Sequence, residues 1–472
     1  MPVGPSHRHS QVFMRKEVKE KGFYRRVLAI AVPILIHNAI TNFVSLLDNI
    51  MVGQVGTTQM SGVSICNQLF LVFNLCIFGA VSGAGIFTAQ FYGSRDMEGV
   101  RHTFRYKLYS CLLLALLGIG IFLLWGPQLI SMYLQGEGSP EEARQILDYG
   151  LQYMKIMLLG LVPFALSQAY CGTLRECDKA VTPMVAGAAA VATNLILNYI
   201  LIFGHLGFAP MGANGAAIAT VISRYVELAI VVIWGHSHKK AYPYLPGLYR
   251  SFRIPMALVK RITLKGMPLL LNEFLWSLGV ATLAQCYSTC GLEVVPAQNI
   301  TDTLNNLANV AVLALGYTVG IIMGQMMGAG CTREEIRSTN RKLKVVCVVS
   351  SLVFLLLQGL ISPLFPRLYN TTESVRNLAT RLILVSACVK PIMAYLNATY
   401  FTLRSGGKTW ITLFYDGGFM WLVTIPLAYV LSRFTSLPII PLYIICNFID
   451  LVKVFVRMYM TKKDTWIQNL AK

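Results

Sequence analysis

Charged residues are scarce in this sequence, and acidic residues are the scarcer kind. The chain has 472 residues, of which 13% are charged, with 40 Lys and Arg against 21 Asp and Glu. A soluble globular protein carries roughly 25% charged residues. This chain therefore has too few charged groups to cover a water-facing surface, which excludes a soluble globular protein.

Sequence signatures of several enzyme and pump classes are missing as well. There is no phosphate-binding loop of the Gly-x-x-x-x-Gly-Lys-Ser/Thr type, so direct drive by ATP is unsupported. The 11 cysteines form no Cys-x-x-Cys pair and lie mostly in apolar runs, which argues against structural disulfides and metal sites. No Ser/His/Asp or metal-hydrolase constellation is evident. We therefore expect neither enzymatic activity nor a cofactor.

Two further absences concern targeting and nucleic acids. The segment at 1–26 is polar and basic, and no short apolar stretch with a cleavage site follows it, so we expect no cleavable signal peptide. The basic residues are dispersed between apolar segments and are not gathered on one face or tail, which argues against nucleic-acid binding.

Long apolar segments dominate what the sequence does contain. Hydrophobic residues make up 55% of the chain, and the mean hydropathy is +0.58. About 20 apolar residues are needed to cross the hydrocarbon core as a helix, and by this criterion the chain has about twelve spans. We place them at 28–52, 66–91, 107–134, 147–172, 181–203, 212–235, 262–288, 296–327, 345–365, 378–402, 410–432 and 437–460.

The two halves of the chain share landmarks at a constant offset in the numbering, as in 268 − 33 = 235. The landmarks are Pro33, Gly56, Gln90 and Gly93, which recur as Pro268, Gly291, Gln325 and Gly328. An even number of spans in each half makes the repeat a parallel one. The predicted fold is therefore an all-α integral membrane protein, with about twelve transmembrane helices in two six-helix lobes related by a parallel internal repeat.

The basic residues alternate with the spans and so predict the orientation. Lys and Arg precede span one and follow spans two, four, six, eight and twelve, whereas residues 54–62, 204–214 and 291–296 contain neither. Arg367 and Arg376 are a local exception. Because basic loops stay on the inner side of the membrane, we expect a multi-pass cell-membrane protein with both termini in the cytoplasm.

The chain then divides into five predicted segments. Residues 236–261 are rich in Pro, Tyr and Lys, and we interpret them as a cytoplasmic linker with an amphipathic stretch on the anionic leaflet. The other segments are a cytoplasmic N-terminal segment at 1–26, an N-lobe of spans 1–6 at 27–235, a C-lobe of spans 7–12 at 262–463 and a cytoplasmic C-terminal tail at 464–472.

Several segments resemble signatures of the multidrug and toxic compound extrusion (MATE) family of antiporters, over most of the chain. Pro33 followed by Asp-Asn-Ile-Met-Val-Gly-Gln-Val-Gly at 48–56 is similar to the family's opening signature. Residues 212–220 match its sixth-span segment, and 272–276 are similar to members from Gram-positive bacteria. The resemblance implies a secondary antiporter that exports organic cations or drugs in exchange for protons or sodium by alternating access of two lobes.

Asp48 is the strongest candidate for ion coupling. A carboxylate inside an apolar helix costs roughly 2.5–3.5 kcal/mol on insertion scales, so it is expected to face the bundle interior. Asn194 and Asn198 are four positions apart on one face of the fifth span. The resemblance implies that these asparagines and Thr220 surround a coupling-ion site with Asp48, with transient sodium at Asp48, Asn194 and Asn198. Many relatives have aspartate at 198, which leaves sodium against protons open, and polar packing between helices is the structural alternative.

A second group of intramembrane polar residues forms the candidates for a substrate cavity. Glu273 lies five positions after Pro268, whereas the glutamate of several family branches lies eight after the proline, where this chain has Trp276. Its role is therefore not carried over from the family. The remaining candidates, each with a structural alternative, are Asp302, Lys390, Asp416 and His37.

Two other transport classes stay open at this point. One is a flippase for lipid-linked oligosaccharides from the same wider superfamily, against which Asp48 and Glu273 argue. The other is a major-facilitator-type carrier, whose loop motif is only faintly matched by residues 93–96. The expected partners are the lipid bilayer and a small-molecule substrate, an organic cation, and we expect a monomer.

Overall fold

The computed structural model describes residues 20–134, 139–435, 437–462 and 464–471, and within them it leaves out the side chains of 20–21, 44–46, 48–50 and 460–462. These residues form helices joined by turns, with no strand among them. The helices of the first half are α1 (Glu20–Gly53), α2 (Thr57–Gly93), α3 (Met97–Ser131), α4 (Pro140–Leu158), α5 (Leu161–Glu176), α6 (Val181–Phe203) and α7 (Ala213–Ser237).

The second half repeats this series of long helices. They are α8 (Met256–Ser288), α9 (Val294–Gly328), α10 (Arg333–Ile361), α11 (Glu373–Ser405), α12 (Thr409–Phe434), α13 (Ile439–Phe448) and α14 (Leu451–Lys462). Helix α12 contains π-helical turns at Phe414–Gly418 and Met420–Thr424. A 3₁₀ turn at Phe365–Leu368 lies between α10 and α11.

The number of membrane spans agrees with the hydropathy prediction. Among the described residues, eleven helical segments are long and apolar enough to cross a membrane, and α4 and α5 make a twelfth if that pair, bent by 49°, is one broken span. The break falls inside the predicted span 147–172. At this point Leu159 and Gly160 make tight i→i−3 backbone hydrogen bonds, and Pro163, which has no backbone N–H, follows. The predicted all-α membrane fold is confirmed.

Several helices begin earlier than the apolar spans. Helix α3 begins at Met97 and not near residue 107, because Asp96 accepts a hydrogen bond from the Gly99 amide (2.9 Å) and caps it. Helix α10 begins at Arg333 and not near 345, where Thr332 and Glu335 form a capping box. Hydropathy detects only the apolar part of a helix, so it does not predict these polar first turns.

The chain separates into two compact units. The first-half unit contains Val32–Thr88 and Asp96–Thr263, and the second-half unit contains the described residues up to Ala31, Ala89–Arg95 and the described residues from Leu264 onward. Helices α1, α2 and α8 therefore each continue from one unit into the other. We describe the two units separately.

The segment that follows α7 packs onto the first-half unit. Residues 238–255 form turns followed by a short irregular stretch, and Tyr244 and Leu248 are buried. The buried guanidinium of Arg105 donates to the carbonyls of Leu248 (2.8 Å) and Gly247 (3.0 Å). The segment is thus part of the unit's packing and not only a linker. The expected contact with the anionic leaflet stays a prediction, which concerns exposed side chains such as Phe252.

In the second-half unit, α2 and α9 cross with almost no space between their backbones. A Cβ on Gly93 would lie 2.0 Å from the carbonyl oxygen of Gln325, and a Cβ on Gly328 would lie 1.9 Å from that of Gln90. Only glycine permits this approach. These four residues are landmarks of the internal repeat, and the structure shows that each repeat's glycine packs on the other repeat's glutamine.

Candidate functional site

Asn194 and Asn198 of α6 form a hydrogen-bonded row with Thr220 of α7, inside the first-half unit. Asn198 Nδ2 donates to Asn194 Oδ1 (3.1 Å), and Asn194 Nδ2 donates to Thr220 Oγ1 (3.2 Å). Asn198 is 0% exposed and Asn194 4% exposed. The predicted shared face of the two asparagines is present, and Thr220 joins it. The row offers amide and hydroxyl oxygens, which are ligands that hard cations accept.

The helices around this row explain why it forms. Most of α6 before Asn194 consists of small residues, as in Ala-Gly-Ala-Ala-Ala at 186–190, which lets α7 pack closely. The turn between α6 and α7 is closed by backbone hydrogen bonds from Met211 to Leu201 (2.9 Å) and from Gly212 to Ile202 (3.3 Å). The two helices are thereby fixed in register, with residue 194 opposite residue 220.

Asp48 lies in α1, in the same unit as the row. Its side chain falls outside what the structure describes. The predicted proximity of the Asp48 carboxylate to the asparagines therefore stays a prediction.

His37 of α1 packs directly against α6. A Cβ on Gly187 would lie 2.3 Å from His37 Nδ1, so the imidazole occupies the space that a larger residue would fill. His37 Nδ1 is buried, and no hydrogen-bond partner for it exists among the described residues. The charge of Arg175 also acts on this ring. The geometry gives His37 a packing role, and its predicted place in a substrate cavity stays open.

Lys390 of α11 contacts a polar row on α9 in the second-half unit. Its Nζ donates to Asn309 Oδ1 (2.8 Å), and its side chain interacts electrostatically with Asp302. One turn along, Ser386 Oγ donates to Asn305 Oδ1 (2.9 Å). Lys390 is only 6% exposed. Lys390 and Asp302 thus interact through their charges, whereas the direct hydrogen-bond partner of Lys390 is Asn309.

Glu273 and Asp416 belong to a second cluster, on α8 and the π-helical part of α12. Asp416 Oδ1 accepts from a guanidinium nitrogen of Arg457 (3.3 Å). Arg404 and Asp416 are the charged groups that act on Glu273. π-helical turns are frequent at functional sites, and here the Gly417 amide donates to Asn272 Oδ1 (3.0 Å), which ties the first π-helical turn to α8.

Sequence reasoning missed three charged residues that the structure places inside the second-half unit. They are Arg457, which is 2% exposed, and the ion pair of Asp450 and Lys453 (2.7 Å), whose members are 8% and 7% exposed. All three lie within the predicted span 437–460. An ionisable residue inside a span is a functional candidate by default, so the signal was present in the sequence but was not used.

Each of the four acidic residues within the predicted spans of this unit has a basic neighbour. Asp416 has Arg457, Asp450 has Lys453, Asp302 has Lys390, and Glu273 has Arg404. A cationic ligand at these carboxylates must compete with a resident cation. Among the described residues there is no group of three or more His, Cys, Asp or Glu arranged to hold a metal ion.

Known proteins resemble this chain over nearly all of its length. The MatE family model matches residues 33–200 and again residues 268–430, and the starts of the two matches differ by 268 − 33 = 235, which is the offset of the repeat. A probable multidrug resistance protein NorM from Thermotoga maritima is 23% identical over 91% of this chain and 90% of its own.

Two solved structures share the fold. A MOP superfamily transporter from Pyrococcus furiosus superposes with a TM-score of 0.83 at 18% identity, over 98% of both chains. The outward-facing structure of a multidrug resistance MATE family transporter gives a TM-score of 0.82 at 18% identity, over 93% of this chain and 96% of that one. The family matches cover both halves of the chain, which is incompatible with a major-facilitator carrier. The chain belongs to the MatE family, the multidrug and toxic compound extrusion family of membrane transporters.

Proposed function

We propose that this transporter exports organic cations and drugs in exchange for protons or sodium, by alternating access of two lobes. The family membership supports transport, and the name of the Thermotoga maritima relative supports multidrug resistance as the role. The observation that carries the coupling part is the buried row of Asn198, Asn194 and Thr220 between α6 and α7.

In this proposal Asp48 supplies the titratable charge, and the row supplies neutral donors and acceptors. A negative Asp48 attracts either a proton or a sodium ion, and the amide and hydroxyl oxygens complete the ligand set in the sodium case. Occupancy by the ion favours one of two conformations, and the substrate favours the other, so the ion gradient drives export. Both termini lie on the cytoplasmic side in this scheme.

Transport into proteoliposomes tests this proposal. The purified protein is reconstituted, a proton or a sodium gradient is imposed separately, and accumulation of a fluorescent lipophilic cation is followed. We expect accumulation against its own gradient with one of the two ions. Equal uptake with no gradient, or no uptake with either ion, contradicts the proposal.

A second candidate is transport of an anionic amphiphile, such as a lipid-linked sugar. The observation that favours it is the burial of three basic side chains in the second-half unit, each beside a carboxylate with which an anionic ligand would compete: Lys390, Lys453 and Arg457. For the Pyrococcus furiosus transporter, a reversed polarity of the binding pocket has been taken to suggest a different function. The same proteoliposomes decide between the candidates, since a lipid-linked sugar phosphate translocated in place of the organic cation would support the second.

A further inference from the structure

The C-terminal residues 464–471 fold back onto the second-half unit. Trp466 is 1% exposed and Leu470 is 8% exposed, although neither lies in a helix. A Cβ on Gly406 would lie 1.8 Å from the Trp466 carbonyl oxygen, so the tail backbone packs directly on the end of α11. Burial of a tryptophan side chain removes about 150–250 Å² from water, which is a substantial contact for so short a segment.

Gln90, at the end of α2, is the centre of this contact. Its Nε2 donates to the carbonyls of Ser405 (2.8 Å) and Gln468 (3.1 Å), and its Oε1 accepts from the Leu470 amide. Gln90 is 0% exposed. Both ends of its carboxamide are therefore used to join α2, α11 and the tail.

Two more contacts anchor the tail on either side of Gln90. The Arg337 guanidinium of α10 donates through Nε to Asp464 Oδ1 (2.7 Å) and through a second nitrogen to Oδ2. At the other end, Asn469 Nδ2 donates to the carbonyl of Gly328 at the end of α9 (3.4 Å). The tail thus contacts four helices near their ends.

The repeat shows that this use of Gln90 is specific to one half. Gln325 is the equivalent of Gln90 under the offset of the repeat, and its Oε1 accepts from the Arg26 guanidinium of α1. The Oε1 atom of Gln90 accepts instead from the Leu470 amide of the tail. The scaffold was duplicated, but the two copies of this glutamine hold different segments.

The position of Gln90 gives the contact a conformational consequence. Helix α2 is continuous from Thr57 to Gly93, but residues 57–88 belong to the first-half unit and residues 89–95 to the second-half unit. If the tail stays packed on the end of α11 through Trp466, a rearrangement that moves the end of α2 away from α9 and α11 breaks the Gln90 hydrogen bonds to Gln468 and Leu470. Alternating access requires rearrangement of packed helices between two discrete states.

We propose that residues 464–471 are a latch that stabilises the arrangement of α2, α9 and α11 seen here and is released during transport. The latch contacts stand independently of the substrate, whereas the release step rests on the proposed transport function.

Hydrogen exchange of the tail tests the contact without any transport assay. Gln90→Ala removes the hydrogen bonds to Gln468 and Leu470, so amide exchange in 464–471 is expected to become about tenfold faster or more. Gln325→Ala is the matched control, because it changes the same helix crossing at a carboxamide that accepts from Arg26, and tail exchange is expected to stay within about twofold of wild type. Equal acceleration by both variants, or by neither, overturns the latch.

Reversible cross-linking tests the release step. Cysteines in the double variant R337C/D464C are bridged by a short reducible reagent, with the similarly treated wild type as control because the native thiols remain. We expect bridged protein to lose transport and reduced protein to regain it. Unchanged transport in the bridged protein overturns release. Absence of transport in the untreated wild type instead contradicts the proposed function and leaves the exchange result standing as the measure of the latch.

Discussion

Gly93 of α2 and the Gln325 backbone of α9 are in such close contact that a Cβ on the glycine would lie 2.0 Å from the glutamine carbonyl oxygen. The reciprocal contact, Gly328 with Gln90, has the same geometry at 1.9 Å. The two contacts are related by the internal repeat, so one helix crossing explains why Gln90, Gly93, Gln325 and Gly328 occupy equivalent positions in the two halves. These repeated positions therefore reflect the close packing of α2 on α9.

The first prediction concerns this crossing. Gly328→Ala places a methyl group on a backbone that cannot move away cheaply, and overpacking of this kind costs about 1–3 kcal/mol. We expect a lower midpoint of thermal unfolding in detergent. Gly359→Ala in α10 is the control, because nothing lies within 4 Å of its Cβ position. A midpoint for Gly328→Ala equal to that of Gly359→Ala would show that the crossing is looser than described.

The second prediction concerns the choice of coupling ion. Asn198→Asp adds a carboxylate to the row with Asn194 and Thr220, which increases the attraction for a cation. We expect sodium-driven transport to rise relative to proton-driven transport. Asn198→Ala is expected to reduce transport with either ion, because the row loses the hydrogen bond to Asn194. If the ratio of sodium-driven to proton-driven transport were unchanged in Asn198→Asp, this row would not determine the choice of coupling ion.

The third prediction concerns Lys390 and the class of substrate. Lys390→Gln removes the resident cation that opposes Asp302, so a cationic substrate is expected to have a KM lower by about tenfold, the size of a typical 1.4 kcal/mol effect. Lys155→Gln, at an exposed position on α4, is the control. An unchanged or higher KM for the cationic substrate, with the control unchanged, would contradict this competition between Lys390 and the substrate.

The fourth prediction concerns the pH dependence of the tail contact. The hydrogen bond from Arg337 holds the pKa of Asp464 below its usual value of about 3.9. Because the pKa is lower when the tail is bound, the ion pair stabilises binding fully above the pKa of the released tail. This contribution is lost as the pH falls through about 4 toward the lowered pKa. We expect tail protection, corrected for intrinsic exchange, to be constant from neutral pH to about 5.5 and to weaken below about 4.

Asp464→Asn is the control for this pH dependence. The amide cannot titrate, so its tail protection is expected to be weaker at neutral pH and to lack the loss near pH 4. A wild-type profile that matches the Asn variant at every pH would mean that the ion pair contributes nothing to the latch.

The membrane fold could be predicted from the sequence because each span is determined by the hydropathy of one contiguous segment. Apolar length gives the spans, and landmarks at fixed spacing give the repeat, so the fold and the family were accessible without coordinates. Lys107 is the first residue of the predicted span 107–134, and the charge pattern counts it among the basic residues between spans two and three that predict the orientation. In the structure it is 0% exposed within α3, paired with Glu176 and hydrogen-bonded to Thr173 (3.2 Å).

What could not be predicted depends on contacts between distant residues. Lys390 is separated from Asn309 by 81 positions in the sequence, Asp416 from Arg457 by 41, and Gln90 from Leu470 by 380. No spacing rule in the sequence relates such residues. The distribution of basic residues predicts only that the tail is cytoplasmic. The composition of the tail does not indicate that Trp466 is buried.

The central claim, that an ion bound at the first-half unit drives export, is tested most directly by one substitution. Gradient-driven uptake of a lipophilic cation into proteoliposomes is measured for wild type, Asp48→Asn and the control Asp148→Asn, which changes an aspartate of α4 outside the row. The account predicts that Asp48→Asn loses uptake driven by the gradient while Asp148→Asn keeps it. Gradient-driven uptake undiminished in Asp48→Asn would contradict the account.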